Sequence, residues 1–217
     1  MLKGCAQETV GDGETVNIAE LLNVQNNLIK FEEFFESDKR LIYFRLLSNN
    51  IMYRQIEDFI TDWGYESANT LNILRHIDDQ SLIKKENENI RSIAVLSWHI
   101  TITLSEMMNL AGLEVNGPEE HSKPPLTMSE IIKVYDNSAV CITNEVKEKW
   151  KDENLTDEVN MYGDVWKRGT VLSILIRHQA HHRGQLIILM RKEGCRVPGI
   201  YGPSKEEWEN MNMEAPE

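Results

Sequence analysis

Ile176–Gln185 reads IRHQAHHRGQ and lies within Val165–Glu193, where apolar side chains recur at helical spacing. On a helix, His178 and His182 stand about 40° apart around the axis, with Cβ atoms roughly 6 Å apart. Two imidazoles so placed can close on one metal ion, because a metal–nitrogen bond is only about 2.0–2.1 Å long. Two ligands make a weak site. A third must come from another helix, so the remaining helices decide both the fold and the site.

Upstream, Ile56, Phe59, Ile60, Trp63, Leu71, Leu74 and Ile77 return to one face from Met52 onward, which predicts an amphipathic helix ending at Asp78–Asp79. A second, more apolar helix is expected from about Ile90 to Leu113, with Gly112 and Gly117–Pro118 as stop signals. Thr127-Met-Ser-Glu130 has the form of a capping box and opens a third helix running to about Trp150. Lys151–Gly163 reads as a charged connection, Gly194 closes the fourth helix, and Val197–Pro203 must be an extended tail. No strand signal competes. These elements predict an all-α fold, a four-helix bundle with a long crossover connection.

Met1–Ile51 carries weaker patterning, with a polar Met1–Thr15 and loosely helical apolar spacing in Asn17–Leu47. We expect an N-terminal extension, helical or partly disordered, with the bundle domain over residues 52–217. An upstream start codon is the alternative origin of that extension.

His99, in LSWHITITLSE of the second helix, shares a helical face with Val95, Leu96, Ile102, Thr103 and Glu106. On the fourth helix, Val171, Ile174, Leu175, Gln185 and Leu189 accompany His178 and His182. Three histidines are therefore expected to point into one interior, and bundle cores build metal sites from facing helices in this way. Each alone is as well explained by a hydrogen-bonded core imidazole; it is their coincidence that suggests a site. His181 lies to one side as a flanking residue. His76 and His121 are expected in solvent. Glu106 follows His99 by about 10.5 Å along the axis, too far for easy coordination, and is a candidate base or neighbour of the site.

The composition bounds the partners. A net charge of −12 argues against nucleic acid, which needs clustered Lys and Arg. No apolar run approaches the ~18–20 residues of a membrane span. Cys5, Cys141 and Cys195 are odd in number and scattered, which suits a reducing, cytoplasmic setting, and Cys141 is expected to be buried.

His99 on a second helix, HQAHHRGQL on a fourth, and the tail VPGIYGPSKEEW together resemble the DinB-like family, a superfamily of metalloenzyme-like bundles. The resemblance covers about Met52–Trp208. It implies a four-helix bundle with a long crossover, often a homodimer, and a metal triad that maps onto His99, His178 and His182. It also implies zinc, nickel, manganese or iron as the divalent ion. Relatives include S-transferases using the thiols bacillithiol or mycothiol and a thiol-dependent isomerase.

The expected function is therefore a divalent-metal enzyme acting on a small molecule. In one form a metal-held thiolate attacks an electrophile, and in the other a metal-activated water serves hydrolysis. A non-catalytic metal- or ligand-binding bundle is the alternative. Trp98, Gln185 and Tyr201 are candidates for the pocket wall or for contacts behind the ligands. The back of the fourth helix, Leu172, Ile176, Ala180 and Ile187, is also apolar, and we expect a homodimer contact or the N-terminal segment to cover it.

Overall fold

The computed structural model describes residues 53–85 and 87–216. The expected N-terminal extension lies outside the described residues. Four long helices carry the fold: α1 (Ile56–Arg75), α2 (Ile93–Leu110), α3 (Met128–Lys149) and α4 (Arg168–Lys192). Helix α1 packs against α3 and α4, and α2 packs against the same two. Helices α1 and α2 thus occupy opposite corners, as do α3 and α4, and the chain crosses the bundle between the members of each diagonal pair.

Local chemistry explains the boundaries. In α1, Glu57 and Asp58 lie in the first turn, where the helix dipole favours negative charge, and Phe59 and Trp63 are fully buried. The Trp63 indole donates to the Ala139 carbonyl (3.0 Å), stapling α1 to α3. Ser92 caps α2 by accepting the Val95 N–H at 3.3 Å. Thr127 accepts the Glu130 N–H (3.4 Å) and donates to the Glu130 carboxylate (2.7 Å), so the expected cap of α3 is present. Helix α2 is buried on nearly every side, with Ser97, Thr101, Thr103 and Ser105 buried among its apolar residues. Val95 departs from the expected inward face, being 44% exposed.

One element differs in kind from expectation. The connection after α3 contains a short 3-10 turn, Asp152–Thr156, then strands β1 (Glu158–Met161) and β2 (Asp164–Lys167), paired antiparallel. Tyr162 and Gly163 form the two-residue turn with φ of 54° and 87°, the paired positive values that a tight hairpin requires. Met161 and Trp166 are the buried side chains of the hairpin, whose strands contact α2 and α4. Because Asp164–Lys167 belong to β2, α4 starts at Arg168 and not near Val165. Asp157 holds that start, accepting the Arg168 N–H through its carbonyl and the guanidinium through its carboxylate, both at 2.9 Å.

The tail after α4 is free of helix over residues 197–203, as expected, and α5 (Lys205–Asn210) follows it. Glu207 accepts the N–H of Ser204 (3.0 Å) and of Gly199 (2.9 Å), folding the tail onto itself. Val197–Ser204 and the α4 residues Ala180 and Ile187 line one common cavity. The tail therefore covers part of α4's back, and Leu172 is buried in the bundle. Cys141 is half-buried, not fully buried, with its sulfur 3.7 Å from the Glu114 carbonyl.

Candidate metal centre

The helical pattern of α4 carries two successive turns of histidine toward α2, and His99 meets them from mid-α2. The three Nε2 atoms form a triangle: His99–His178 3.3 Å, His99–His182 3.1 Å and His178–His182 3.0 Å. Among the described residues this is a group that could hold a metal ion. Nitrogens bound at 2.0–2.1 Å to a tetrahedral ion stand about 3.3–3.4 Å apart, close to the separations found. The rings meet edge to face, at 65°, 88° and 81°, so their Nε2 atoms converge without the rings stacking.

The triangle does not satisfy itself. The Oε1 atom of Gln185 lies 2.8 Å from His182 Nδ1, and the Gln185 amide nitrogen lies 2.9 Å from His181 Nε2. That pattern assigns a proton to His182 Nδ1, which donates to the amide oxygen, and leaves a lone pair on His182 Nε2. Three neutral rings cannot then make hydrogen bonds along all three edges, since a neutral imidazole has a single N–H. At least one edge sets like against like. A cation taking one lone pair from each ring removes the conflict. His178 Nδ1 is buried with no hydrogen-bond partner among the described residues, so no contact there fixes that ring's tautomer.

Electrostatics favour the neutral, ligating form. Burial, followed by the neighbouring His182 and Arg91 charges, pushes the His99 pKa down to about 4. His178 is pushed down to about 3 by burial and then by its histidine neighbours. His182 is also lowered, chiefly by burial, against an opposing contribution from Gln185. At neutral pH all three rings are therefore uncharged, each with one nitrogen lone pair able to take a metal ion.

A cleft of about 540 Å³ opens beside the triad, with His182 and Gln185 on one wall. Ile90, Leu96, Ile188 and Leu189 supply its apolar lining, and Arg91 and Lys192 its charges.

The remaining sequence candidates lie elsewhere or at the edge. His181 is exposed, meets the His182 ring edge to face at 4.9 Å between centroids, and bonds Gln185. Glu106 accepts a hydrogen bond from the Tyr162 hydroxyl at 2.9 Å, and neither residue lines the cleft. The Trp98 indole donates to Ser122 at 3.1 Å and faces another cavity with Asn116 and Val134. Tyr201 bonds Glu66 (2.9 Å) and Arg183 (2.5 Å) on the α1 side of α4.

Three residues that the sequence reading passed over hold the triad's helices. Gln179, fully buried, donates to the Ile100 carbonyl (3.1 Å) and accepts from the Tyr135 hydroxyl (3.0 Å). It thereby fastens α4 beside His178 to α2 beside His99. Arg183, next to His182, pairs with the buried Glu66 carboxylate and donates to the Glu66 carbonyl (2.7 Å) and Thr70 hydroxyl (3.1 Å). The signal for Glu66 was present: Phe59, Trp63, Glu66 and Thr70 fall on one helical stripe, and a carboxylate on an apolar stripe needs a partner.

Bundle and triad together define a helical protein with a three-histidine centre. The DinB family model matches residues 52–216. The Bacillus subtilis (strain 168) protein YrdA is 32% identical over 165 residues, covering 76% of this chain and 99% of YrdA. A crystal structure of a DinB-like protein from Bacillus cereus ATCC 10987 aligns with a TM-score of 0.67 at 30% identity, over 69% of this chain and 100% of that one. YjoA, a DinB-like protein of Bacillus subtilis, shares the fold with a TM-score of 0.50 at 16% identity, over 66% of this chain and 97% of its own. The chain belongs to the DinB family. Among the described residues no helix is long and apolar enough to cross a membrane.

Proposed function

We propose that the chain is a divalent-metal-dependent enzyme that joins a small thiol to a small electrophile, with His99, His178 and His182 as metal ligands. The observation that carries this reading is the convergence of three neutral imidazole nitrogens on one point. Imidazole donors suit zinc, nickel or iron, and three protein ligands leave a coordination position open, as catalytic sites do. When bound, the ion supplies positive charge that keeps a thiol sulfur deprotonated near neutral pH.

The chain's own residues do the rest. Gln185 keeps the His182 proton on Nδ1, so Nε2 stays a ligand throughout. Leu96, Ile188 and Leu189 line the approach with apolar surface, limiting water beside the sulfur. The sulfur lone pair forms the new carbon–sulfur bond while the leaving group departs with its own bonding pair. A small molecule, not a macromolecule, is the partner this cleft fits. Bacillithiol and a cytoplasmic setting belong to the same reading through the family resemblance and the unpaired cysteines. With the tail across part of α4's back, a homodimer rests on that resemblance alone.

Elemental analysis of untagged full-length protein, followed by a thiol-conjugation assay with monobromobimane, tests the reading. We expect one divalent ion per chain, lost in His178→Ala and His182→Ala, and turnover that disappears with it. Full metal content in both variants would sink the ligand assignment. A retained ion without turnover would point to a binding bundle instead.

A further inference from the structure

The charges of the cleft beside the triad run against those of the chain. The protein carries a net −12, yet the described residues lining this cleft include two cations and no carboxylate. The cations come from opposite walls. Arg91 immediately precedes the Ser92 cap of α2, and Lys192 ends α4. Lys192 stands where a helix dipole favours a cation, but Arg91 stands at a helix N-terminus, where a cation is disfavoured. Helix stability therefore gives no reason for Arg91.

Two further observations bear on Arg91. It is exposed and enters no ion pair of 4.0 Å or less among the described residues, although the chain has an excess of carboxylates. It also lines the same cleft as His182, so one opening runs from the triad to the guanidinium. A molecule bound at the triad and extending along this cleft can therefore meet Arg91 with its far end. Between the ring of His182 and the cations, the wall is Leu96, Ile188 and Leu189. The cleft volume of about 540 Å³ suits a small organic ligand, for which sites run from about 300 to 1,000 Å³.

We propose that this cleft selects a small organic anion whose apolar segment lies along Leu96, Ile188 and Leu189 and whose carboxylate meets Arg91. This rests on the reading of the triad as the reaction centre and names the substrate class for it. Arg91 is then the specificity residue, since its planar fork matches a carboxylate in two hydrogen bonds.

The test uses full-length protein loaded with cobalt(II) and titrated with 6-mercaptohexanoate or 6-mercaptohexanol, reading the sulfur-to-cobalt absorption. The two thiols share length and sulfur and differ in terminal charge. At low salt the acid should half-saturate at about five- to tenfold lower concentration, an advantage that shrinks with added salt. Arg91→Gln should bring the acid down to the level of the alcohol and leave the alcohol unchanged. Equal titration of both thiols by the unsubstituted protein would overturn the anion proposal while leaving the metal–thiol reading intact. If neither thiol perturbs the cobalt spectrum, that reading fails. Hexanoate against 1-hexanol on the metal-free chain, followed by methyl NMR, then decides the anion proposal: preference for hexanoate, lost in Arg91→Gln, supports it and equal binding overturns it.

Discussion

The two polar faces of α4 are built on opposite terms. Toward α1, Arg183 meets Glu66 in a buried ion pair, with Thr70 and Tyr201 taking further hydrogen bonds. Opposite charges and most of the guanidinium's donors are matched on that face from within the chain, although Arg183 Nε is buried without a partner among the described residues. Toward α2, three neutral imidazoles press lone-pair positions into a triangle of 3.0–3.3 Å that their own protons cannot satisfy. The closed face is the kind that holds helices in register, and the open one is the kind that binds. One helix carries both, with Arg183 and His182 adjacent in sequence, so fixing the first also aims the second.

The largest effect should come from opening the closed face. Arg183→Leu would leave the Glu66 carboxylate buried without its counter-charge, and breaking a buried pair in this way costs about 3–5 kcal/mol. Chemical denaturation of the metal-free protein should show this loss. If the variant keeps its stability, water reaches Glu66 and the contrast between the faces fails. The paired change Glu66→Leu with Arg183→Leu should recover much of the loss, because no lone charge then remains.

A smaller effect should come from the open face as pH falls. The folded pKa values of His99 and His178 lie near 4 and 3, below the ordinary 6.5 of an unfolded histidine. Between those limits the unfolded chain binds more protons than the folded one, so metal-free stability should decline as pH drops from about 6.5 toward 3. Denaturation midpoints at pH 7, 5 and 4 measure that slope. His178→Ala should flatten it, and an unchanged slope would mean that another group titrates there. Bound metal should deepen the pH dependence, since protons then compete for its ligands.

The sequence was most readable where periodicity and chemistry agree. Four helices emerge from 3.6-residue spacing, their ends fall close to the signals at Gly112, Thr127 and Gly194, and the two triad-bearing faces follow from the same spacing. Val95 was misplaced because α2 is buried almost all round, so hydrophobicity alone cannot orient it. The hairpin was missed because its strands are four residues each and its turn is Tyr-Gly, without the Asn-Gly or Asp-Gly that marks such turns. Arg91 could not be linked to the triad from sequence, because only the path of the loop before α2 brings it to the cleft.

Glu106 sharpens the comparison most finely, because it is a polar residue on α2 that belongs to neither face. Its carboxylate is already bonded by the Tyr162 hydroxyl at the hairpin turn, and an exposed pair of this sort contributes little. Glu106→Gln keeps a hydrogen-bond acceptor and the side-chain volume, so stability should change by less than about 1 kcal/mol. Metal content should not change, since the carboxylate is outside the triad of donors. A base acting on the substrate, by contrast, would lose its function in the glutamine variant, lowering turnover at least about a hundredfold with metal retained. We expect turnover close to that of the unsubstituted protein. A large loss would show that the tyrosine contact is released during the reaction and that α2 contributes a second catalytic group beyond His99.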